Sequence, residues 1–277
     1  MGNVDIHFHL LPGVDDGPSS VDESLALASA AVADGTQTVV ATPHVHPQHI
    51  TEPAQIPELV RELVDRLRRQ RIGLDVRPGG ELAHQMVQRL TDPELQAIAQ
   101  GTRGHRWVLL EAPFAGLDDR FTEAADELRH RGFGTVIAHP ERTMQTPATD
   151  AALARERVAG SVLQLTAGSF TGLYGERTRA DALTLLRSAP RAVIASDAHG
   201  GARMPALRSA VHELTAVGEG AASRFVADIP YSLLKHGLIA DYRACDRGAK
   251  ITKAVWWRRG VAQSSVRRSP NGVPPRE

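Results

Sequence analysis

The segment "VDIHFHLLPGVDDG", residues 4 to 17, limits what this chain can become more than any other stretch. On a β-strand successive side chains alternate faces, so His7 and His9 would point one way while Ile6 and Phe8 point the other. Two imidazoles on one face, followed by Asp15 and Asp16, could hold a cation. The same letters also suit a polar strand end with a capped turn, and an HxH pair alone is a weak signal. The remainder of the chain has to decide.

Seven further-spaced runs have the look of buried strands: residues 3–9, 36–43, 73–79, 106–112, 134–140, 161–167 and 191–197. Most carry β-branched residues and several are apolar on both faces, as parallel strands covered by helices are. Helical patterns fall between them at 19–34, 53–71, 82–100 (broken near Asp92-Pro93), 119–131, 149–159, 178–188 and 204–217. Such alternation predicts an α/β fold of parallel βαβ units, either a closed barrel or a doubly wound sheet. The chain is 277 residues long and 42% hydrophobic, enough for one large core.

Composition removes several function classes. Zero formal net charge argues against general binding to nucleic acid or a membrane surface, and 4% aromatics leave little for base stacking. A lone Cys245 precludes an internal disulfide, and neither a signal peptide nor a membrane-spanning apolar run is visible, so a cytoplasmic protein without membrane insertion is expected. The end of the chain differs. From Asp246 to Glu277 there are eight Lys or Arg against two acids, with no apolar periodicity. The expected organisation is a domain over 1–245 and a basic, disordered extension over 246–277. Trp256-Trp257 is the odd feature in that extension.

The positions of the polar residues carry the functional reading. His7 and His9 close the first strand, His44 follows the second and Glu81 the third. Glu111 ends the fourth strand, His139 the fifth, and Asp197 and His199 the seventh; the sixth supplies no obvious ligand. Parallel strands of a barrel end on one face, where such folds build their sites. A lone buried histidine such as His44 is usually a hydrogen-bonded core residue. Glu111 in "VLLEAPF" and Asp197 in "AVIASDAH" are harder to place that way, because a buried carboxylate needs a cationic partner. His46, His49, His84, His105, His130, His212 and His236 do not share the strand-end placement, although the loop carrying His46 borders the proposed site. Counting one of Asp15 and Asp16, nine candidate ligands converge. That is too many for one tetrahedral zinc and suits two or three divalent ions with a bridging carboxylate. The mixed imidazole and carboxylate set fits Mn2+, with iron or zinc also compatible.

Taken in order, "DIHFHLLPGVDDG", "ATPH", "GGE", "LLEAPF", "IAHPER" and "ASDAHG" resemble the polymerase and histidinol phosphatase (PHP) family. The opening motif and "AHPER" are most similar to the bacterial manganese-dependent protein-tyrosine phosphatases of capsule and exopolysaccharide clusters. The resemblance covers residues 3 to about 215 and implies a distorted seven-stranded (β/α) barrel, TIM-like, with a trinuclear metal site at the C-terminal strand ends. It implies His7, His9, Glu111 or Glu81, and Asp197 around one ion, carboxylate sharing toward a second near His139, and Asp15 or Asp16, His44 and His199 around a third. It further implies that Arg142 and Arg203 hold the substrate phosphate. For Arg142 the plainer reading is a surface ion pair with Glu141 or another acid. "VADIPYSLLKHG" matches the family's closing helix only loosely.

The implied activity is hydrolysis of phosphotyrosine, with an autophosphorylated bacterial tyrosine kinase controlling capsule or exopolysaccharide synthesis as the partner; a homo-oligomer is compatible. Two alternatives stand beside it: a small-molecule phosphatase of the histidinol-phosphate type, and a non-catalytic, metal-stabilised scaffold. A proofreading nuclease is disfavoured by charge and aromatic content.

Overall fold

The computed structural model describes residues 2–48, 52–189 and 191–238. The boundary expected at 245, Cys245, the tryptophan pair and His49 lie outside these residues. All seven expected strands form: β1 (Asn3–Phe8), β2 (Thr36–Ala41), β4 (Asp75–Pro78), β6 (Trp107–Glu111), β7 (Gly134–Ala138), β8 (Val162–Thr166) and β9 (Ala192–Ala195). Two short ones add to them, β3 (His44–Val45) and β5 (Glu81–Ala83), so the count among the described residues is nine rather than seven. Every ladder is parallel, in one sheet ordered β1-β2-β4 and another ordered β3-β5-β6-β7-β8-β9, rather than in a single seven-stranded ring.

The extra strands have a local cause. Pro43 has no N–H to give, and Gly79-Gly80 lets the neighbouring chain step sideways, so both ladders break at the same height and then resume. Hydrogen bonding carries across the break: Gly79 N donates to Ala41 O (2.9 Å) and Glu81 N to Pro43 O (3.0 Å). The sheets also meet where β1 and β9 end. His9 N donates to Ala198 O and Asp197 N to His7 O, each at 2.9 Å, beside a parallel bridge between Phe8 and Ala198.

β1 departs from strict alternation. Ile6 packs with Val4, Val40, Leu109 and Val136 in a cluster that includes Leu233 and Leu234, whereas Phe8 joins the larger cluster formed with the helices. The ladder shifts register between Asp5 and Phe8, and within that irregular stretch Asp5 Oδ1 accepts from His7 N at 3.3 Å.

The helices are α1 (Val21–Ala33), α2 (Ile56–Arg69), α3 (Asp92–Ile98), α4 (Asp119–His130), α5 (Pro147–Ala159), α6 (Ala167–Phe170), α7 (Glu176–Ser188), α8 (Leu207–Ala216) and α9 (Asp228–His236). Their starts follow capping chemistry. Ser20, Asp118 and Thr146 accept from the backbone N–H three residues on, and Thr91 with Glu94 makes a capping box. α2 buries Ile56, Val60, Leu63 and Leu67, one stripe at helical spacing. The helix expected over 82–100 is corrected. Its start is taken by β5 and a 3-10 turn at His84–Met86, and Pro93 at the head of α3 confines the helix to its last part. α6 is an addition to the expected set, and α9 forms within "VADIPYSLLKHG", the segment loosely matched to a closing helix. α9 closes the end of the sheets away from the strand C-termini, where Trp107 Nε1 donates to Leu233 O at 3.1 Å.

Gly79 sits under strain-free but crowded conditions: a Cβ there would lie 2.4 Å from Val40 Cγ1. Gly79→Ala should therefore lower stability by about 1–3 kcal/mol through overpacking, read as a shifted urea midpoint at unchanged slope; an unchanged midpoint would show that the step between β4 and β5 has room to spare.

Candidate metal centre

The break in the two ladders is what brings the site together, because His44 opens β3 and Glu81 opens β5, paired in register. Glu111 is the last residue of β6, and His139 and Asp197 follow β7 and β9. Those last two bend the backbone sharply. Of the three non-glycine residues with positive φ among the described residues, two are His139 (37°) and Asp197 (53°). Left-handed conformations are uncommon for residues with a Cβ and cluster at functional sites.

The donor atoms then crowd together. His7 Nε2 and His9 Nε2 are 3.2 Å apart, and Glu81 Oε2 lies 3.3 Å from each. Asp197 Oδ1 is 3.2 Å from His7 Nε2 and 3.6 Å from His9 Nε2. Ligand atoms about 2.1 Å from one ion stand roughly 3.0–3.4 Å apart in tetrahedral or octahedral array, so these separations suit a shared ion. A second cluster joins Glu81 and Glu111 to His44, whose Nδ1 is 3.1 Å from Glu81 Oε2. A third joins His9, His44, His199 and Asp16, with Asp16 Oδ1 3.4 Å from His44 Nε2 and 3.1 Å from His199 Nε2. His139 groups with His7 and Asp197, and its Nε2 is 2.8 Å from Glu81 Oε1. Nine of the ten expected ligand residues therefore fall into overlapping clusters, with Glu81 shared between two of them.

Asp15 stands apart from its neighbour. Its Oδ2 meets His9 Nδ1 at 2.7 Å and accepts from His44 N at 3.0 Å, while Oδ1 accepts from Gly17 N at 3.0 Å. It orients His9 so that Nε2 faces the cluster, as carboxylates behind metal-binding imidazoles do. Gln164 plays the matching part for His7, with Oε1 2.8 Å from Nδ1. It sits on β8, the strand that offered no ligand in sequence; the buried polar letter in "VLQLT" was the available signal. His46 is half-buried and outside the four clusters.

Both arginines reach the centre. Arg142 Nη1 and Arg203 Nη2 (2.7 Å) donate to Asp197 Oδ2, leaving Oδ1 toward the histidines. Arg203 Nη1 is also 3.6 Å from Asp16 Oδ2. The pairing of Arg142 with Glu141 is not found: Glu141 is buried and accepts from Thr166 N and Ser169 Oγ, each at 2.8 Å.

Electrostatics fit a cation site. Burial opposes a charge on His7, yet Glu81 and Asp197 outweigh it and lift its pKa to about 9. His44 is likewise lifted to about 9 against its burial, by Asp16, Glu81 and Glu111. Burial resists ionisation of Glu81 and Asp197, but the surrounding imidazoles hold both carboxyls below their usual range. Glu111 is raised, by burial first and by Glu81 second. Yet Glu81 Oε2, Asp197 Oδ1 and His199 Nε2 are buried without a hydrogen-bond partner, which is the condition a bound cation would relieve. The residues present fit divalent metal.

The family described as "Capsular polysaccharide synthesis, CpsB/CapC" matches residues 3–235. The chain belongs to that family. Its relatives include the tyrosine-protein phosphatase YwqE of Bacillus subtilis (strain 168), 33% identical over 200 residues, 71% of this chain and 77% of YwqE. The putative tyrosine-protein phosphatase CapC of Staphylococcus aureus is 30% identical over 205 residues, covering 73% and 79%. A solved structure from work on YwqE and on CpsB of Streptococcus pneumoniae, described as unique metal-dependent tyrosine phosphatases, superposes with a TM-score of 0.68 at 28% identity, covering 90% of this chain and 96% of that one. β-Aspartyl dipeptidase of Fervidobacterium islandicum shares the fold alone, with a TM-score of 0.54 and 14% identity over 84% of this chain and 72% of its own. The resemblance carried by the ordered motifs thus holds at the level of the family.

In metal-free protein, His7 and His44 have pKa values near 9, above the ordinary 6.5. A raised histidine pKa contributes stability that is complete below about 6.5 and lost as pH rises through about 9. Chelator-treated protein should therefore melt at progressively lower temperature between those limits. Added divalent ions at neutral pH should displace protons, countable by calorimetry in buffers of different ionisation heat; metal uptake without proton release would contradict these assignments.

Proposed function

We propose that this chain is a metal-dependent phosphomonoester hydrolase acting on phosphotyrosine in proteins. The observation that carries the reading is Asp197, whose Oδ1 faces His7 while Oδ2 takes both guanidinium groups. Phosphate-matched donors therefore stand one carboxylate away from the ion-holding cluster. The names of the relatives point to the same reaction.

We assign the metals as two or three Mn2+ ions, held by His7, His9, Asp16, His44, Glu81, Glu111, His139, Asp197 and His199, with Asp15 behind His9. We take the two parallel sheets to act as one distorted barrel around them. Divalent ions there supply a water acidic enough to attack at neutral pH, and positive charge against the phosphoryl oxygens. The chain's own groups do the rest. Arg142 and Arg203, each giving one N–H to Asp197 Oδ2, offer their remaining planar donors to phosphate oxygens. His199 is held below its usual pKa by burial and by His9, which favours the neutral imidazole that ligates a metal. A phenolate leaving group needs little protonation.

Tyrosine-phosphorylated proteins are the substrates in this reading, with an autophosphorylated bacterial tyrosine kinase of a capsule or exopolysaccharide system as the partner. We assign the protein to the cytoplasm. Separately, no helix among the described residues is long and apolar enough to cross a membrane. Residues 246–277 are an extension outside the catalytic domain.

The test is turnover of a phosphotyrosine peptide and of histidinol phosphate by Mn2+-loaded protein, before and after chelation. Arg142→Ala should lower kcat/KM on the peptide by about 10²–10³, the usual cost of one preorganised donor, with metal content kept because Arg203 still holds Asp197. Arg142→Lys should restore part of it. Preference for histidinol phosphate would favour the small-molecule alternative, and metal-loaded protein without hydrolysis the scaffold. Truncation after residue 245 should leave turnover of a small ester nearly intact; loss of folding would make the extension part of the domain.

A further inference from the structure

The polar floor of the site is bordered by exposed apolar side chains that metal and phosphate chemistry leave without a role. Eight large hydrophobic residues are conspicuously exposed among those described: Val32, Phe114, Met144, Val158, Leu173, Met204, Val217 and Tyr231. Phe114, Met144 and Met204 stand on the loops that follow β6, β7 and β9, and Leu173 stands between α6 and α7; the loops after β7 and β9 also deliver Arg142 and Arg203. Exposed apolar residues scattered singly need no explanation, but a set gathered at the rim of a polar centre does.

Phe114 is the member with geometry to match. Its ring lies parallel to that of His139, 8° between planes and 5.6 Å between centroids, and the Arg142 guanidinium carbon is 5.2 Å from its centre. Phe114 is 55% exposed whereas His139 is 2% exposed, so the ring spans from the buried donor atoms to solvent. Tyr174 also packs on Arg142, its ring centre 4.2 Å from the guanidinium carbon. Tyr174 is seated where Gly168 has no side chain, since a Cβ there would come within 3.1 Å of Tyr174 Cε2. Met144 N donates to Phe114 O at 2.8 Å and ties the two loops together.

We propose that Phe114 is a specificity-determining residue: its exposed ring receives the aryl ring of the phosphomonoester while Arg142, in contact with both the Phe114 and Tyr174 rings, takes the phosphate. A flat ring attached to phosphorus through one oxygen extends outward along the face that Phe114 presents. An alkyl ester has no ring to lay there. Offset stacking is the arrangement aromatic pairs favour, and losing one partner should weaken binding roughly three- to tenfold. This rests on the phosphotyrosine reading and narrows it, by naming what separates aryl from alkyl esters.

The experiment measures binding rather than turnover, by calorimetry on Mn2+-loaded full-length protein with phenylphosphonate and methylphosphonate. Wild type should bind phenylphosphonate more tightly. In Phe114→Ala the Kd for phenylphosphonate should rise about fivefold, while that for methylphosphonate stays within about twofold. Phe114→Trp should restore the preference and Phe114→Leu should not; the leucine variant keeps the bulk over His139 should the alanine variant lose metal. The proposal is overturned if wild type shows no aryl preference or binds neither probe. It is overturned equally if Phe114 variants weaken both phosphonates together, which would make Phe114 a shield for His139 and Arg142. Failure of the wider reading looks different: aryl preference intact, Phe114-dependent, but no turnover of a phosphotyrosine peptide.

Discussion

Glu81 is the group on which the arrangement depends. Its carboxylate is 1% exposed and lies within 3.3 Å of His7, His9, His44 and His139. A carboxylate so far from water costs several kcal/mol unless positive charge surrounds it. Imidazolium groups supply that charge in the metal-free molecule, and divalent ions would supply it otherwise. The paired interruption of the ladders follows from the same need. Without the step at Pro43 and Gly79-Gly80, Glu81 would continue a regular strand instead of opening a new one beside His44.

A second layer keeps the donors aimed. Asp15 behind His9 and Gln164 behind His7 select which ring nitrogen faces inward, and the arginines do the same for Asp197 by occupying one of its oxygens. Left-handed backbone at His139 and Asp197 is tolerated because the chain around them is overdetermined. His139 N donates to Gln164 O at 2.8 Å, and Ser196 N is held by the buried Asp5 carboxylate at 3.0 and 3.2 Å. The conformational cost of the site is met by hydrogen bonds from neighbouring strands.

Strand identity and the strand-end placement of the candidate ligands were legible because buried parallel strands are short apolar runs and their polar termini stand out. Other features were written in the sequence without being decodable from it. Pro43 and Gly79-Gly80 announce irregularity, but only pairing partners show that two ladders break together. Residues 82–100 carry enough helix formers to hide a strand and a turn. Asp15 and Asp16 are identical neighbours, and their different work depends on which way a loop folds. Ile6 and Phe8 part company through a register shift that no periodicity reports. Gln164 lacked the charge that drew attention to the other positions, and Phe114 looks like any other core phenylalanine until its exposure is known.

The seam between β1 and β9 has a consequence for how the protein comes into being. Asp5 and Ser196, which hold that seam, are 191 residues apart in sequence, and His7 and Asp197 meet across it. Ribosomes deliver roughly 5–20 residues per second. The first histidines to emerge must therefore wait on the order of ten seconds or longer for the carboxylate that completes their cluster. During synthesis β1 can pair with β2 long before β9 exists, so His7 and His9 stand for that interval without Asp197 beside them. The cluster is thus complete only once the last strand has arrived.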